Sequence, residues 1–209
     1  MRPAALLFDF NGTLSDDEHI QCEIYREIFA EAGKPLGATE YFAELAGLSD
    51  PEIVRTWLGE ERPELVAERV SRYQARAADG STVGPAAREA VRYAAKRAQL
   101  AVVSGAARVE IKSVLTAAGL APLVSVVVAA DDVEAGKPDP EGYIRALELL
   151  DRRPEEAVAF EDSEAGVAAA KAAGLRCIAL EGTVEIDRLA AADEIAGTLD
   201  VQLMQRLLA

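Results

Sequence analysis

Cysteine, histidine and tryptophan are scarce in this sequence, at two, one and one in 209 residues. Two cysteines as far apart as Cys22 and Cys177 form neither a disulfide framework nor a thiolate metal site, and they read as reduced, packed thiols. Cations are also short. Lys and Arg number 22 against 36 Asp and Glu, for a formal charge of −14, which argues against nucleic acid and anionic membrane as partners. Long uncharged apolar runs are missing, so no bilayer span is expected, and the short apolar run ahead of Asp9 is too brief for a signal peptide. A cytoplasmic protein is expected, with a monomer as the default state. Half of the residues are nonetheless hydrophobic, which excludes disorder and provides for a real core.

What is present is a series of short apolar runs: Ala4–Phe8, Leu100–Val103, Val124–Val128, Ala157–Phe160 and Cys177–Leu180. They do not alternate with polar residues, the pattern of parallel strands buried on both faces. Helical segments separate them: Pro85–Arg97, Arg108–Ala118 closed by Gly119, Pro140–Leu150 with Asp139 as N-cap and Pro140 at the first helical position, and a helix capped by Ser163 that ends at Gly174. The stretch between the first two strands differs. Ser15 to Glu18 matches a capping box with Ser15 as N-cap. Ile20, Ile24, Ile28, Tyr25, Phe29 and Ala32 then form an apolar stripe closed by Gly33. Asp50-Pro51 opens a helix ending near Gly59, and Pro63 opens another reaching about Asp79. The expected fold is α/β, a Rossmann-like parallel sheet with helices on both faces plus an inserted all-helical cap. The expected division is 1–14 with 84–209 for the core and 15–83 for the cap.

In an open parallel sheet the carboxyl ends of the strands share one edge, where ligands bind. The first strand runs into Asp9-Phe10-Asn11-Gly12-Thr13, the second into Ser104-Gly105, the third is followed by Gly136-Lys137-Pro138-Asp139-Pro140, and the fourth runs into Glu161-Asp162-Ser163. Crowding Asp9, Glu161 and Asp162 together is costly unless cations offset them. Lys137 and a hard, oxygen-ligated cation would do so, and Mg²⁺ is the usual partner of carboxylates and phosphate together.

These four segments resemble, in order and spacing, the four motifs of the haloacid dehalogenase (HAD) superfamily, and most of all its phosphatase and β-phosphoglucomutase branch. The resemblance spans almost the whole chain, helical cap included. It implies that Asp9 attacks phosphorus to form an aspartyl-phosphate on a small phosphorylated metabolite. It also implies that Asp9, the Asn11 carbonyl and Asp162 hold Mg²⁺, with Glu161 supporting that shell. Ser104 and the Gly105 amide would hold phosphoryl oxygens, with Gly12 and Thr13 beside them, and Lys137 would offset charge in the transition state.

One position departs from the family pattern. Where its phosphatases usually carry an Asp as general acid and base, this chain has Asn11, and an amide does neither job at neutral pH. Four readings stay open: a leaving group that needs little protonation, a proton supplied from the cap hinge (Asp16, Asp17, Glu18 or His19), a weak or regulatory relative, or an engineered change that traps a complex. The loss is worth about 10²–10⁴-fold in rate. Asn11 serves a phosphomutase badly, and Gly47-Leu48-Ser49-Asp50 has an acid where the mutase pattern has a phosphate-gripping arginine. Glu161-Asp162 argues against a dehalogenase, and Lys34 is a poor Schiff-base lysine for a phosphonatase. A phosphatase is expected, with a dormant relative that binds a phosphometabolite or a protein partner as the rival.

Single residues also have plainer readings. Asn11-Gly12 is a common turn pair, Ser104-Gly105 is ordinary loop chemistry, and Glu161 to Ser163 complements a helix dipole. His19 is either a substrate or proton-transfer contact at the site mouth or a surface residue. Trp57 reads as cap core, and Arg55, Arg69, Arg72 and Arg76 as residues of solvated faces, one of which could instead reach a second anionic group of a substrate.

Overall fold

A computed structural model describes residues 2–209. In chain order the elements are β1 (Ala5–Phe8), α1 (Glu18–Glu31), the short α2 (Ala38–Glu40) running into a π-helical turn at Tyr41–Leu45, α3 (Asp50–Leu58), α4 (Pro63–Ala77) and α5 (Pro85–Ala95). There follow β2 (Gln99–Val103), α6 (Arg108–Ala117), β3 (Val126–Val128), α7 (Glu141–Leu150), β4 (Ala157–Glu161), α8 (Glu164–Ala172), β5 (Arg176–Leu180), β6 (Glu194–Ala196) and α9 (Val201–Leu208). The six strands are parallel, in the order β3-β2-β1-β4-β5-β6. The chain leaves β1 towards β2 and β3, then crosses back to β4 on the other side. That reversal makes the carboxyl end of β1 a topological switch point, the place where open α/β sheets bind ligands.

Alternation along each strand divides the core between two faces. Leu6, Phe8, Leu100, Val102, Val158 and Phe160 point to one side, where helices α5, α6 and α9 pack and the buried face of the inserted segment continues the same apolar cluster. Ala5, Leu7, Ala101, Val103, Ala159 and Cys177 point to the other, against α7 and α8. Small residues on that second face let α7 and α8 sit close to the strands. Phe8 and Phe160 stack at 4.9 Å between centroids, fixing β1 beside β4 just below the sheet edge.

Every apolar run forms a strand, with small shifts at the ends. Val124 and Ser125 are still leaving the turn that contains Pro122, so β3 is shorter than its apolar run. β6 has no counterpart among the apolar runs, because it is a three-residue, half-exposed edge strand reading Glu-Ile-Ala. Two capping expectations are corrected. α1 begins at Glu18 with Asp17 in the cap position. Ser15 does not cap it: Gly12 N–H donates to the Ser15 carbonyl at 2.8 Å and the Ser15 hydroxyl donates to Thr82 Oγ1 at 2.7 Å. α7 begins at Glu141 with Pro140 in the cap position, and Asp139 Oδ1 accepts from Glu141 N–H at 2.9 Å. The stripe on α1 buries Ile24, Tyr25, Ile28 and Phe29, whereas Ala32 is exposed at the helix end. Both cysteines are buried and free.

Candidate active site

Strand pairing puts the chemistry at one edge. Phe8 is level with Val102 and Phe160, and Asp9 N–H donates to the Phe160 carbonyl at 2.9 Å, so Asp9 is the first residue beyond β1. Glu161 ends β4 beside it, and Asp162 follows. One carboxylate oxygen from each of Asp9, Glu161 and Asp162 lies within 4.8 Å of the others. Lys137 donates to Asp9 and also contacts Glu161. Three carboxylates and one ammonium from three separate segments therefore meet in a buried space. Thr13 Oγ1 donates to Asp162 Oδ1 at 3.1 Å, tying the loop after β1 to the loop after β4. Ser104, anchored by its N–H to the Val128 carbonyl at 3.0 Å, accepts from Ala106 N–H through its hydroxyl. Ser104, Gly105, Asn11, Asp9, Lys137 and Asp162 all line one cleft.

Two glycines make this crowding possible. Gly12 has φ of +72°, and a Cβ there would lie 1.8 Å from Asp162 Oδ2 and 2.5 Å from Thr183 Oγ1. Gly166, on α8, leaves the space that Glu161 fills, since a Cβ there would lie 1.8 Å from Glu161 Oε2. Nothing in the sequence marks Gly166 for the site, or Tyr143, fully buried on α7, whose hydroxyl donates to Glu161 Oε1. The Tyr143 ring also lies 5.6 Å from the Lys137 ammonium. Periodicity marks Tyr143 as core, and nothing in the sequence says that its hydroxyl faces a carboxylate.

The electrostatics are those of a site short of positive charge. Burial lifts Glu161 to about 7, with Lys137 opposing and Asp9 adding to the rise. Burial lifts Asp162 well above the ordinary carboxylate range, and Asp9 and Glu161 push the same way. Asp9 is raised by burial despite Lys137. Lys137 is itself held protonated, because Asp9 and Glu161 outweigh the opposing effect of its burial. One ammonium does not offset three buried carboxylates. Glu161 Oε2 is moreover buried without a partner. An all-oxygen donor set with an orphaned carboxylate oxygen suits a small hard cation, and such an ion would reverse the upward shifts. The residues fit Mg²⁺.

Asn11 lines the cleft, and its side-chain amide donates to Asp17 Oδ2 at 3.0 Å. Tyr73 donates to the same oxygen, and burial lifts Asp17 to about 6. Glu18 also lines the cleft, accepts from Tyr41 at 3.0 Å, and is lifted by burial, then by Asp17, to about 7. His19, its neighbour, is exposed and does not line the cleft. Trp57 is half-buried away from the cleft, its indole donating to the Lys34 carbonyl at 2.9 Å. Of the cap arginines, Arg72 and Arg76 pair with surface glutamates as expected. Arg69 does not follow them: it is 3 % exposed, lines the cleft and pairs with Asp50 and Glu110. The sequence pattern placed it on a solvated face because the acid that draws it inward, Glu110, lies on a helix remote in sequence.

The chain is similar to known proteins over most of its length. Residues 6–180 match the family described as haloacid dehalogenase-like hydrolase. Validoxylamine A 7'-phosphate phosphatase of Streptomyces hygroscopicus subsp. limoneus is 32% identical over 209 residues, 90% of each chain. A phosphorylated carbohydrates phosphatase of Thermotoga maritima is 33% identical over 180 residues, 83% of each chain. Among solved structures, a CbbY mutant from Rhodobacter sphaeroides in complex with xylulose-(1,5)bisphosphate superposes with a TM-score of 0.85 at 30% identity, covering 94% of this chain and 95% of that chain.

Proposed function

The chain belongs to the haloacid dehalogenase-like hydrolases, among phosphatases of phosphorylated metabolites, and we propose that it is a Mg²⁺-dependent phosphatase that works through an aspartyl-phosphate on Asp9. The observation that carries this reading is the meeting of Asp9, Glu161 and Asp162 around the Lys137 ammonium at the switch point of the sheet.

In this reading Asp9 attacks phosphorus, the bond to the leaving oxygen breaks, and water then attacks phosphorus to release phosphate and restore the carboxylate. Lys137 stays charged throughout and meets the negative charge that builds on the phosphoryl oxygens. Ser104 and the Gly105 amide hold those oxygens, with Gly12 and Thr13 beside them. Asp9, the Asn11 carbonyl and Asp162 would hold Mg²⁺, with Glu161 behind them, fixed by Tyr143. Bound there, the ion would supply electrostatic stabilisation of the phosphoryl group. The cleft, about 60 Å³, adjoins a second cavity of about 400 Å³ that shares Ser49, Ser104, Gly105 and Lys137 with it. In the same reading residues 15–83 act as a cap over a core of residues 1–14 and 84–209, with Ser15 and Thr82 joined at the hinge. A monomeric cytoplasmic protein belongs to the same reading.

Asn11 favours a second reading, a relative that binds a phosphometabolite with little or no turnover. One experiment separates the two. Phosphate release from a panel of phosphorylated sugars, nucleotides and carboxylic acids is measured with Mg²⁺ and with EDTA, for the parent and for Asp9→Asn. The phosphatase reading requires release that needs both Mg²⁺ and Asp9. Calorimetric binding of Mg²⁺ and phosphate without any release would establish the second.

A further inference from the structure

An amide at position 11 cannot protonate a leaving oxygen, so the proton has to come from another group on the cleft. Most of the titratable side chains there are already committed. Asp9 and Asp162 belong to the acid cluster, and Lys137 is bound to Asp9. Asp50 balances the buried Arg69 guanidinium, whose Nε and Nη2 reach its Oδ1 at 2.9 and 2.8 Å. Tyr25 and Tyr41 are pushed well above their ordinary range, chiefly by burial, and hold their protons.

Glu18 is left. Among the described residues it is the one carboxyl lining the cleft that lies outside the acid cluster and pairs with no cation. Its Oε2 accepts from the Tyr41 hydroxyl at 3.0 Å, which fixes the side chain. Its Oε1 takes no hydrogen bond among the described residues and is not sealed from solvent. The charged and titratable groups around it are Asp17 beside it in the chain, Asp9 and Asp162 from the sheet edge, Tyr41 from the π-helical turn and Arg69 from α4. Burial is the largest influence and Asp17 the next, and neither depends on what fills the acid cluster. Glu18 sits at about 7, where a carboxyl gives and takes protons near neutral pH. The other hinge residues do not compete. Asp16 and His19 are exposed and off this cleft. Asp17 is fully buried and does not line it, and its Oδ2 is taken by Asn11 and Tyr73.

We propose that Glu18 is the general acid and base of this site, standing in for the carboxyl that position 11 lacks. The assignment rests on the phosphatase reading. As Asp9 attacks phosphorus and the bond to the leaving oxygen breaks, the Glu18 proton passes to that oxygen and an alcohol departs. Water then bonds to phosphorus while the bond from phosphorus to the Asp9 oxygen breaks. One water proton passes to Glu18, which is restored, and phosphate leaves. One carboxyl serves both steps because alcohol and water occupy the same side of phosphorus, opposite Asp9. Glu18 belongs to α1 and Asn11 to the loop that carries Asp9, so a carboxyl at position 11 would be held in closer register with the nucleophile and remain the better donor.

The test compares kcat/KM, with Mg²⁺, on phenyl phosphate, whose leaving oxygen is strongly basic, and on p-nitrophenyl phosphate, whose leaving oxygen departs without a proton. Glu18→Gln keeps the shape of the side chain and an oxygen for Tyr41. It should lower kcat/KM at least about tenfold more on phenyl phosphate than on p-nitrophenyl phosphate, inside the range that general acid–base help covers. In an Asn11→Asp background that excess should shrink, because a second carboxyl supplies the same proton. Equal losses on the two phosphates, or an excess that Asn11→Asp leaves undiminished, would make Glu18 a structural residue and overturn the assignment while the phosphatase reading stands. Release by the parent from p-nitrophenyl phosphate alone would mean that no proton is supplied, and would overturn it as well. No release from either phosphate would overturn both readings.

Discussion

The Asn11 amide donates to the Asp17 carboxylate at 3.0 Å, joining the loop after β1 to the first turn of the cap. A carboxylate in place of that amide would sit against a buried acid already lifted to about 6 by burial, so the pair would share a proton near neutral pH.

Asn11→Asp should therefore restore a proton donor for the leaving oxygen. The expected result is a rise in kcat/KM of at least about tenfold on sugar phosphates, within the 10²–10⁴ ceiling of general acid–base help. It should change little on p-nitrophenyl phosphate, whose leaving group departs without a proton. An equal rise on both substrates, or a fall on sugar phosphates, would place the proton donor elsewhere. The variant should also lose stability as pH rises from 6 to 8, since the folded chain would hold a proton that the unfolded chain has released.

The metal-free acid cluster has a related signature. Glu161 sits at about 7, and Asp9 and Asp162 are raised as well, each chiefly by burial. A raised carboxyl pKa means that the folded state binds more protons than the unfolded state between the ordinary carboxylate range and the raised value. Stability in EDTA should then decline as pH rises from about 5 to 8. Mg²⁺ replaces those protons, so its gain in melting temperature should be larger at pH 8 than at pH 5.5. Equal gains at both values would contradict a cation among these three side chains.

Gly166→Ala tests the packing behind Glu161. The added methyl would start 1.8 Å from Glu161 Oε2, so the carboxylate or α8 must move. Overpacking of this kind costs about 1–3 kcal/mol. A urea melt should show that loss, with weaker Mg²⁺ binding. Unchanged metal affinity would mean that Glu161 does not support the ion.

Arg69→Ala should be among the most destabilising cap substitutions. It leaves Asp50 and Glu110 buried without their partner, a loss of about 3–5 kcal/mol. Arg72→Ala, on the same helix but with surface glutamates, should cost less than about 1 kcal/mol. Comparable losses in the two melts would refute the buried role assigned to Arg69.

Much of this site was legible in the sequence because a parallel sheet turns chain position into spatial position. Asp9, Ser104, Glu161 and Asp162 each follow a buried apolar run, so their meeting at one edge follows from the strands being parallel. Lys137 needed the motif spacing as well, since it lies well beyond β3. What was not legible depends on approach between remote segments. Tyr143 reads as core until its hydroxyl is seen on Glu161, and Gly166 reads as a helical glycine until Glu161 occupies its space. Arg69 follows the surface pattern of its helix, and only its pairs with Asp50 on α3 and Glu110 on α6 reveal why it is buried. Ser15 matched a capping signature, but hydrogen bonds to Gly12 and Thr82 hold it in the loop instead.

Nucleophilic attack by Asp9 is tested most directly with p-nitrophenyl phosphate, whose leaving group needs no help from Asn11. Rapid acid quench after mixing the Mg²⁺-loaded protein with ³²P-labelled p-nitrophenyl phosphate should show label on the intact chain during turnover, and none with Asp9→Asn. Turnover with no labelled protein, or label that persists in Asp9→Asn, would contradict it.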